Sequence, residues 1–315
     1  MTKSRVLPFL LALLMLIPCS LISGCSSGSS EQTTITPLST EQITLTPTPT
    51  FTPTSTIPRN NALEVMKWFP DTGGTYGYVN LAALREPQFS HFYQPFASQL
   101  SIYADYGMDF DYASWEALQY KGDDTYAILI NANWNISEIR KELQVGGIKG
   151  SYRGVEIWTA PTEGAVALRD GLLLLGEPDD TVYKCIDALK GLERSLYDNE
   201  DLREVVGKLP RMALTYEAAT SGELFPTDIA DCIAIAFSAE KIDANTVGLT
   251  FVGKFTDATS AKNSLSEFKS WAITSTKYSI ENVKAEQEGQ FIEVTMTYPI
   301  SELGTCNTTP TETGL

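Results

Sequence analysis

Thr125-Tyr126-Ala127-Ile128-Leu129-Ile130-Asn131 is the stretch on which the fold turns. It is a short, unbroken apolar run, the pattern of a buried strand. Asn135 follows, with Glu138 three residues on, the spacing of a helix N-cap and capping box; the helix it opens stops near Gly146-Gly147. Two strands come next, Ile148 to Tyr152 and Val155 to Thr159, with Arg153-Gly154 at the turn. The same order returns near the C-terminus. There a strand from Thr246 to Phe255 precedes a helix capped by Asp257, with Ala258, Ala261, Leu265, Phe268 and Ala272 on its apolar face. Tyr278 to Ala285 and Phe291 to Tyr298 then close as a hairpin through Glu288-Gly289. Strand, helix, strand, strand thus occurs twice, at about 125–159 and 246–298, an order that an internal duplication would explain, although no residue-level identity accompanies it. Hairpins beside helices predict the α+β class, with antiparallel sheets and helices packed on one face.

The remaining elements are read in the same way. Tyr76 to Leu81 is a first strand, and Phe89, Phe92, Tyr93, Phe96, Leu100 and Tyr103 share one face of a helix. A short second helix is expected over Tyr112 to Leu118. Ala165 to Leu168 and Leu172 to Leu175 flank Arg169-Asp170-Gly171, whose Asp-Gly marks a hairpin. Pro178 starts a helix with Val182, Cys185, Ile186 and Leu189 on one face, and Met212 to Glu217 and Cys232 to Ala239 are further strands. The folded part divides into a first half over 61–209 and a second over 210–303, with a polar tail over 304–315.

The N-terminus is of another kind. Lys3 and Arg5 precede an apolar run from Val6 to Ile17, and Leu21-Ile22-Ser23-Gly24-Cys25 follows. This resembles the lipobox of bacterial lipoproteins, in which a diacylglyceryl group alkylates the Cys thiol and the chain is cut just before it. The resemblance implies a signal peptide over 1–24 and a lipidated Cys25. It also implies an extracytoplasmic protein whose partner is the membrane, cell membrane or outer membrane, through its N-terminal lipid. Two acyl chains anchor stably where one does not. Residues 26–60 form a tether: between Glu31 and Asn60 lie Pro37, Pro47, Pro49, Pro53 and Pro58 among eleven Thr. Alternating Thr and Pro favours extended polyproline II, which over 35 residues reaches on the order of 100 Å. The folded part resembles, loosely over 62 to 300, uncharacterised bacterial lipoproteins with a Ser/Thr/Pro tether and an α+β domain of unknown function. The matching residues are Phe69-Pro70-Asp71, Tyr78-Val79-Asn80-Leu81 and Tyr152-Arg153-Gly154-Val155-Glu156-Ile157-Trp158. That resemblance implies no activity.

Composition narrows the function classes. The chain has 315 residues, 43% of them apolar, with 23 basic against 39 acidic side chains and a net charge of −16. A broad nucleic-acid surface needs clustered Lys and Arg, so nucleic acid is not an expected partner. Cleavage before Cys25 would remove Lys3 and Arg5 and no acid, leaving 21 basic against 39 acidic residues.

Signals of chemistry are sparse. His91 is the single histidine, which excludes a multi-histidine metal site; no G-x-S-x-G elbow accompanies it in the folded part, and no G-x-x-x-x-G-K-[ST] motif is present. Asp105, Asp109, Asp111 and Glu116 surround Gly107 without EF-hand spacing and read as solvated surface; Asp123-Asp124 and Asp179-Asp180 suit turns and caps. After Cys25 the chain holds Cys185, Cys232 and Cys306, enough for one bridge such as Cys185–Cys232, although the helical face of Cys185 suits a buried free thiol. Between Phe89 and Tyr120 there are ten aromatic residues in 32. Four of them, Tyr106, Tyr112, Trp115 and Tyr120, are candidates for a groove that stacks a ligand. The expectation is therefore a non-catalytic binding or interaction domain in a cell-envelope complex, without a cofactor or metal. A small-molecule or glycan receptor built on residues 103–120 is the alternative, and a hydrolase comes last.

Overall fold

Among the described residues, twelve strands join into one antiparallel sheet in the computed structural model of the protein. The structure describes residues 61–89, 113–121, 125–132, 134–160, 164–169, 171–211, 213–220, 229–276 and 279–302. In chain order the elements are α1 (Asn61–Val65), β1 (Thr75–Val79), α2 (Leu81–Leu84), β2 (Ala113–Lys121), β3 (Thr125–Ala132), α3 (Ile136–Leu143), β4 (Ile148–Tyr152), β5 (Val155–Ala160), β6 (Gly164–Arg169) and β7 (Leu172–Glu177). There follow α4 (Asp179–Leu189), α5 (Glu200–Lys208), β8 (Thr215–Thr220), β9 (Cys232–Lys241), β10 (Thr246–Phe255), α6 (Ala258–Thr274), β11 (Glu281–Glu288) and β12 (Phe291–Pro299). Across the sheet the order is β11-β12-β10-β9-β8-β1-β2-β3-β7-β6-β5-β4.

The expected antiparallel sheet with helices is present, but the helices cover both faces and not one. Leu81 and Leu84 of α2, Ile139 of α3 and Phe268 of α6 pack on one face. Val65 of α1, Val182 of α4 and Val205 of α5 pack on the other. The central strands require this. In β1, Tyr76 and Tyr78 point to the α1/α4/α5 side while Val79 points to the α2/α3/α6 side, and every residue of the strand is buried. A sheet that is apolar on both sides must be covered on both.

Strand, helix, strand, strand does recur, as β3-α3-β4-β5 and β10-α6-β11-β12. Outward from the central pair, one arm reads β1-β2-β3-β7-β6-β5-β4 and the other β8-β9-β10-β12-β11. With the β6–β7 hairpin set aside the two arms match strand for strand, and α3 and α6 lie on the same face. The arms join where Thr75 to Val79 pairs with Ala219 to Thr215, so the sheet runs unbroken across the 209/210 boundary.

Several local expectations change on contact with the tertiary structure. Tyr112 to Leu118 is not a helix: from Ala113 it belongs to β2, paired on both sides with β1 and β3. Glu, Ala, Leu and Gln favour helix intrinsically, yet a central strand gains two ladders of hydrogen bonds and burial on both faces, and packing outweighs propensity. The first strand ends at Val79, because Asn80 accepts a hydrogen bond from Ala83 N at 3.0 Å and so caps α2. Phe89 ends a 3-10 turn, and the rest of the expected 89–103 helix lies outside the described residues. Asn135 stands at the N-cap of α3 but makes no side-chain cap bond, whereas Asp257 accepts from Thr259 N and Ser260 N, both at 2.8 Å. Cys185 and Cys232 are free thiols on opposite faces of the sheet, which rules out a bridge between them. Cys306 lies outside the described residues, as does Cys25.

Candidate functional site

Among the described residues, several buried polar atoms without a hydrogen-bond partner lie on three adjacent strands, and Ser238 Oγ on β9 is another. Side chains alternate along a strand, so the positions sharing the α2/α3/α6 face with Val79, Leu118 and Tyr120 are Thr75 and Gly77 on β1, Glu116 on β2 and Glu217 on β8. Register then sets their spacing. Gly77 lies opposite both Leu118 and Glu217, Val79 opposite Glu116, and Thr75 opposite Tyr120. Tyr120 reaches diagonally across β1, which presents no side chain at Gly77, and its hydroxyl donates to Glu217 Oε1 at 3.2 Å.

Both glutamates are 1% exposed. Neither oxygen of Glu116 has a hydrogen-bond partner, and Glu217 Oε2 and Thr75 Oγ1 also lack one. An ionised carboxylate in such a place would cost several kcal/mol, so burial favours the neutral acid. Burial pushes Glu116 up to about 8. It pushes Glu217 to about 8 as well, against the opposing effect of the Tyr120 hydrogen bond. Both side chains are thus mainly carboxylic acids at neutral pH, able to donate one proton and to accept. The contrast with Lys254 is instructive. That buried ammonium, on the opposite face, has Asp201 and Glu204 of α5 each at 2.7 Å and is fully answered.

The geometry also limits what these acids can do together. β1 separates them, and strand spacing puts their Cα atoms about 12 Å apart. Among the described residues, no three Asp, Glu, His or Cys side chains cluster as metal ligands.

Glu116 overturns its reading as solvated surface. The sequence signal that marks it is a lone charge inside an apolar strand, Trp115-Glu116-Ala117-Leu118, repeated in Tyr216-Glu217-Ala218-Ala219. Of the four aromatic candidates, Tyr106 and Tyr112 lie outside the described residues. Trp115 and Tyr120, 7% and 8% exposed, point to opposite faces of β2 and so do not line one groove. The Trp115 ring packs 5.8 Å from Tyr78, among α1, α4 and α5. Trp115→Ala is expected to lose about 3–5 kcal/mol of stability, the cost of emptying a packed aromatic site; urea unfolding that finds under 1 kcal/mol would return it to the surface.

No family model matches the chain. An uncharacterized protein of Methanocaldococcus jannaschii is 25% identical over 190 residues, 58% of this chain and 65% of that relative, so the chain spans less than two thirds of its length. Among solved structures, TP0453 in crystal form I overlays with a TM-score of 0.44 at 10% identity, covering 76% of this chain and 94% of that one. Neither likeness names an activity. Among the described residues, no helix is long and apolar enough to cross a membrane.

Proposed function

We propose that the protein is a lipid-anchored, extracytoplasmic binding protein of the cell envelope, and that its folded part takes a small ligand without catalysing a reaction. Cys25 would carry the lipid and residues 26–60 the reach. The observation that carries the binding reading is the pair of unpartnered oxygens of Glu116, beside the Glu217–Tyr120 pair. Buried polar groups are nearly always satisfied, so an orphaned one asks for a partner that the chain's own side chains do not supply. Such a neutral acid can both donate and accept, so a ligand that offers hydrogen-bonding groups is what it calls for. The separation of the two acids by β1 favours holding a ligand at two points over acid–base work on one bond. We infer further that the matching arms of the sheet arose by duplication, with Glu116 and Glu217 on either side of the central strand β1.

Two measurements on the full chain test this. Cys25→Ala is expected to move the protein from the membrane fraction to the soluble one; retention would remove the anchor. Thermal unfolding against amines, amino acids and sugars is expected to show a rise with one class. A ligand at about 100 times its Kd adds roughly 2.7 kcal/mol. Glu116→Leu, which removes the hydrogen-bonding group, should abolish that rise, and a flat panel would sink the receptor reading. An interaction domain is the second reading, favoured by Val145 and Ile148, which stand 84% and 68% exposed beside an edge of the sheet.

A further inference from the structure

Among the described residues the sheet has two edges, β4 and β11, and only one is guarded. β11 carries Glu281, Lys284, Glu286 and Glu288, its pairing with β12 is irregular between Glu281 and Lys284, and Asn282 has φ 54°. Charge and a bulge are the usual devices against pairing with another chain. β4 has neither. It pairs with β5 in unbroken register from Ile148↔Thr159 to Tyr152↔Val155, and Ile148 lies open to solvent. Its one charge, Lys149, is drawn back over its own sheet, with Nζ 3.4 Å from Glu156 Oε1 and 5.5 Å from the Trp158 ring centre. The β4–β5 hairpin is also held from both faces. Arg140 of α3 grips Glu156 from one face, with Nε and Nη2 donating at 2.9 and 3.0 Å. Asp187 of α4 accepts from the Tyr152 hydroxyl at 2.8 Å on the other.

The turn determines which backbone groups are free. Arg153 and Gly154 have φ 49° and 80°, a two-residue hairpin turn that makes Tyr152↔Val155 a hydrogen-bonded pair. Alternation then turns the N–H and C=O of Ile148, Gly150 and Tyr152 toward β5, and those of Lys149 and Ser151 outward.

We propose that β4 pairs antiparallel with β4 of a second copy of this chain, about a two-fold axis through Gly150. The strand is self-complementary in that register. Lys149 and Ser151 of one copy exchange backbone hydrogen bonds with Ser151 and Lys149 of the other. Ile148 meets Tyr152 of the second copy on one face, an aliphatic–aromatic cross-strand pair. Gly150 meets its own counterpart in a non-hydrogen-bonded position, with Cα atoms about 4.5 Å apart. No charge opposes a like charge directly, because Lys149 faces Ser151. Five residues bury less than the roughly 1,600 Å² of a standard interface, so the dimer is weak in dilute solution and strengthens wherever copies are concentrated on one surface.

Cysteine crosslinking of the full chain decides it. An added Cβ at Gly150 meets nothing closer than Ile157 O at 4.0 Å, so Gly150→Cys fits the strand. The paired Cα distance suits a disulfide. Mild oxidation is expected to give mostly a covalent dimer that reductant dissolves. Ile148→Cys is the register control: its two copies would lie about 14 Å apart and should not crosslink. Adding Ser151→Pro to Gly150→Cys removes an outward N–H at a position where an edge strand tolerates Pro. It should cut the dimer at least tenfold without moving the unfolding midpoint. If that variant unfolds early, the contrast between positions 148 and 150 still decides. Absence of a dimer from Gly150→Cys, equal crosslinking from Ile148→Cys, or survival of the crosslink in a folded Ser151→Pro variant would each overturn the proposal.

Discussion

At pH 8, Glu116→Gln is expected to unfold roughly 5–10 °C above the parent chain, and Glu217→Gln likewise, with the gain gone near pH 4. The sign follows from where the proton sits. Burial places each folded-state pKa at about 8, while the ordinary glutamate value is 4.5. Between those values the folded protein holds a proton that the unfolded chain has released. Stability therefore falls as pH rises through the window, by about 1.4 kcal/mol per pH unit for each group where the difference is complete, and levels off above 8. Below 4.5 the acid is neutral in both states and contributes no slope. Glutamine keeps the shape and the hydrogen-bonding capacity without the titration. Carboxylates with lowered pKa, such as Glu86 beside Lys241 and Glu156 beside Arg140, act in the opposite sense and below this window. Thermal unfolding of parent and variants at pH 4, 6 and 8 is the check. Parallel pH profiles would mean that neither carboxyl is desolvated in the folded protein.

The second large effect belongs to the contact between α6 and β10. Phe268→Ala is expected to cost about 3–5 kcal/mol, because the ring is fully buried. It stands 6.0 Å from the Phe255 ring centre and 5.4 Å from that of Trp271. It also rests on Gly253, where an added Cβ would come within 2.5 Å of Phe268 Cε2. Gly253→Ala alone should therefore cost about 1–3 kcal/mol through overpacking. The double variant is the informative one. Its methyl group enters the space the ring vacates, so the combined loss should fall short of the sum by about 1 kcal/mol or more in urea unfolding. Strict additivity would show that the ring is not seated on that glycine.

How much of this was legible depends on the range of the interaction. Arg153-Gly154 and Glu288-Gly289 announced their hairpins because a tight turn is decided by the φ angles of a few neighbouring residues. Asp257 announced α6 because a cap acts over three residues, and its carboxylate accepts from Thr259 N and Ser260 N. The candidate site was hidden for the opposite reason. Trp115-Glu116-Ala117-Leu118 carries residues that suit a helix or a surface equally well. Only the insertion of β2 between β1 and β3 makes it a strand and takes Glu116 out of water.

The sequence by itself thus determined what local rules control: the antiparallel hairpins, the helices after β3 and β10, the doubled order of elements, and the expectation of a lipid-bearing Cys25 on a Thr/Pro tether. Only the tertiary structure decided that the arms join through β1 and β8, that helices cover both faces, and that two glutamates lie buried beside Tyr120. A strand's own pattern records which of its faces is apolar. It does not record which distant segment comes to lie against that face, and that segment sets whether a carboxyl group there meets water or protein.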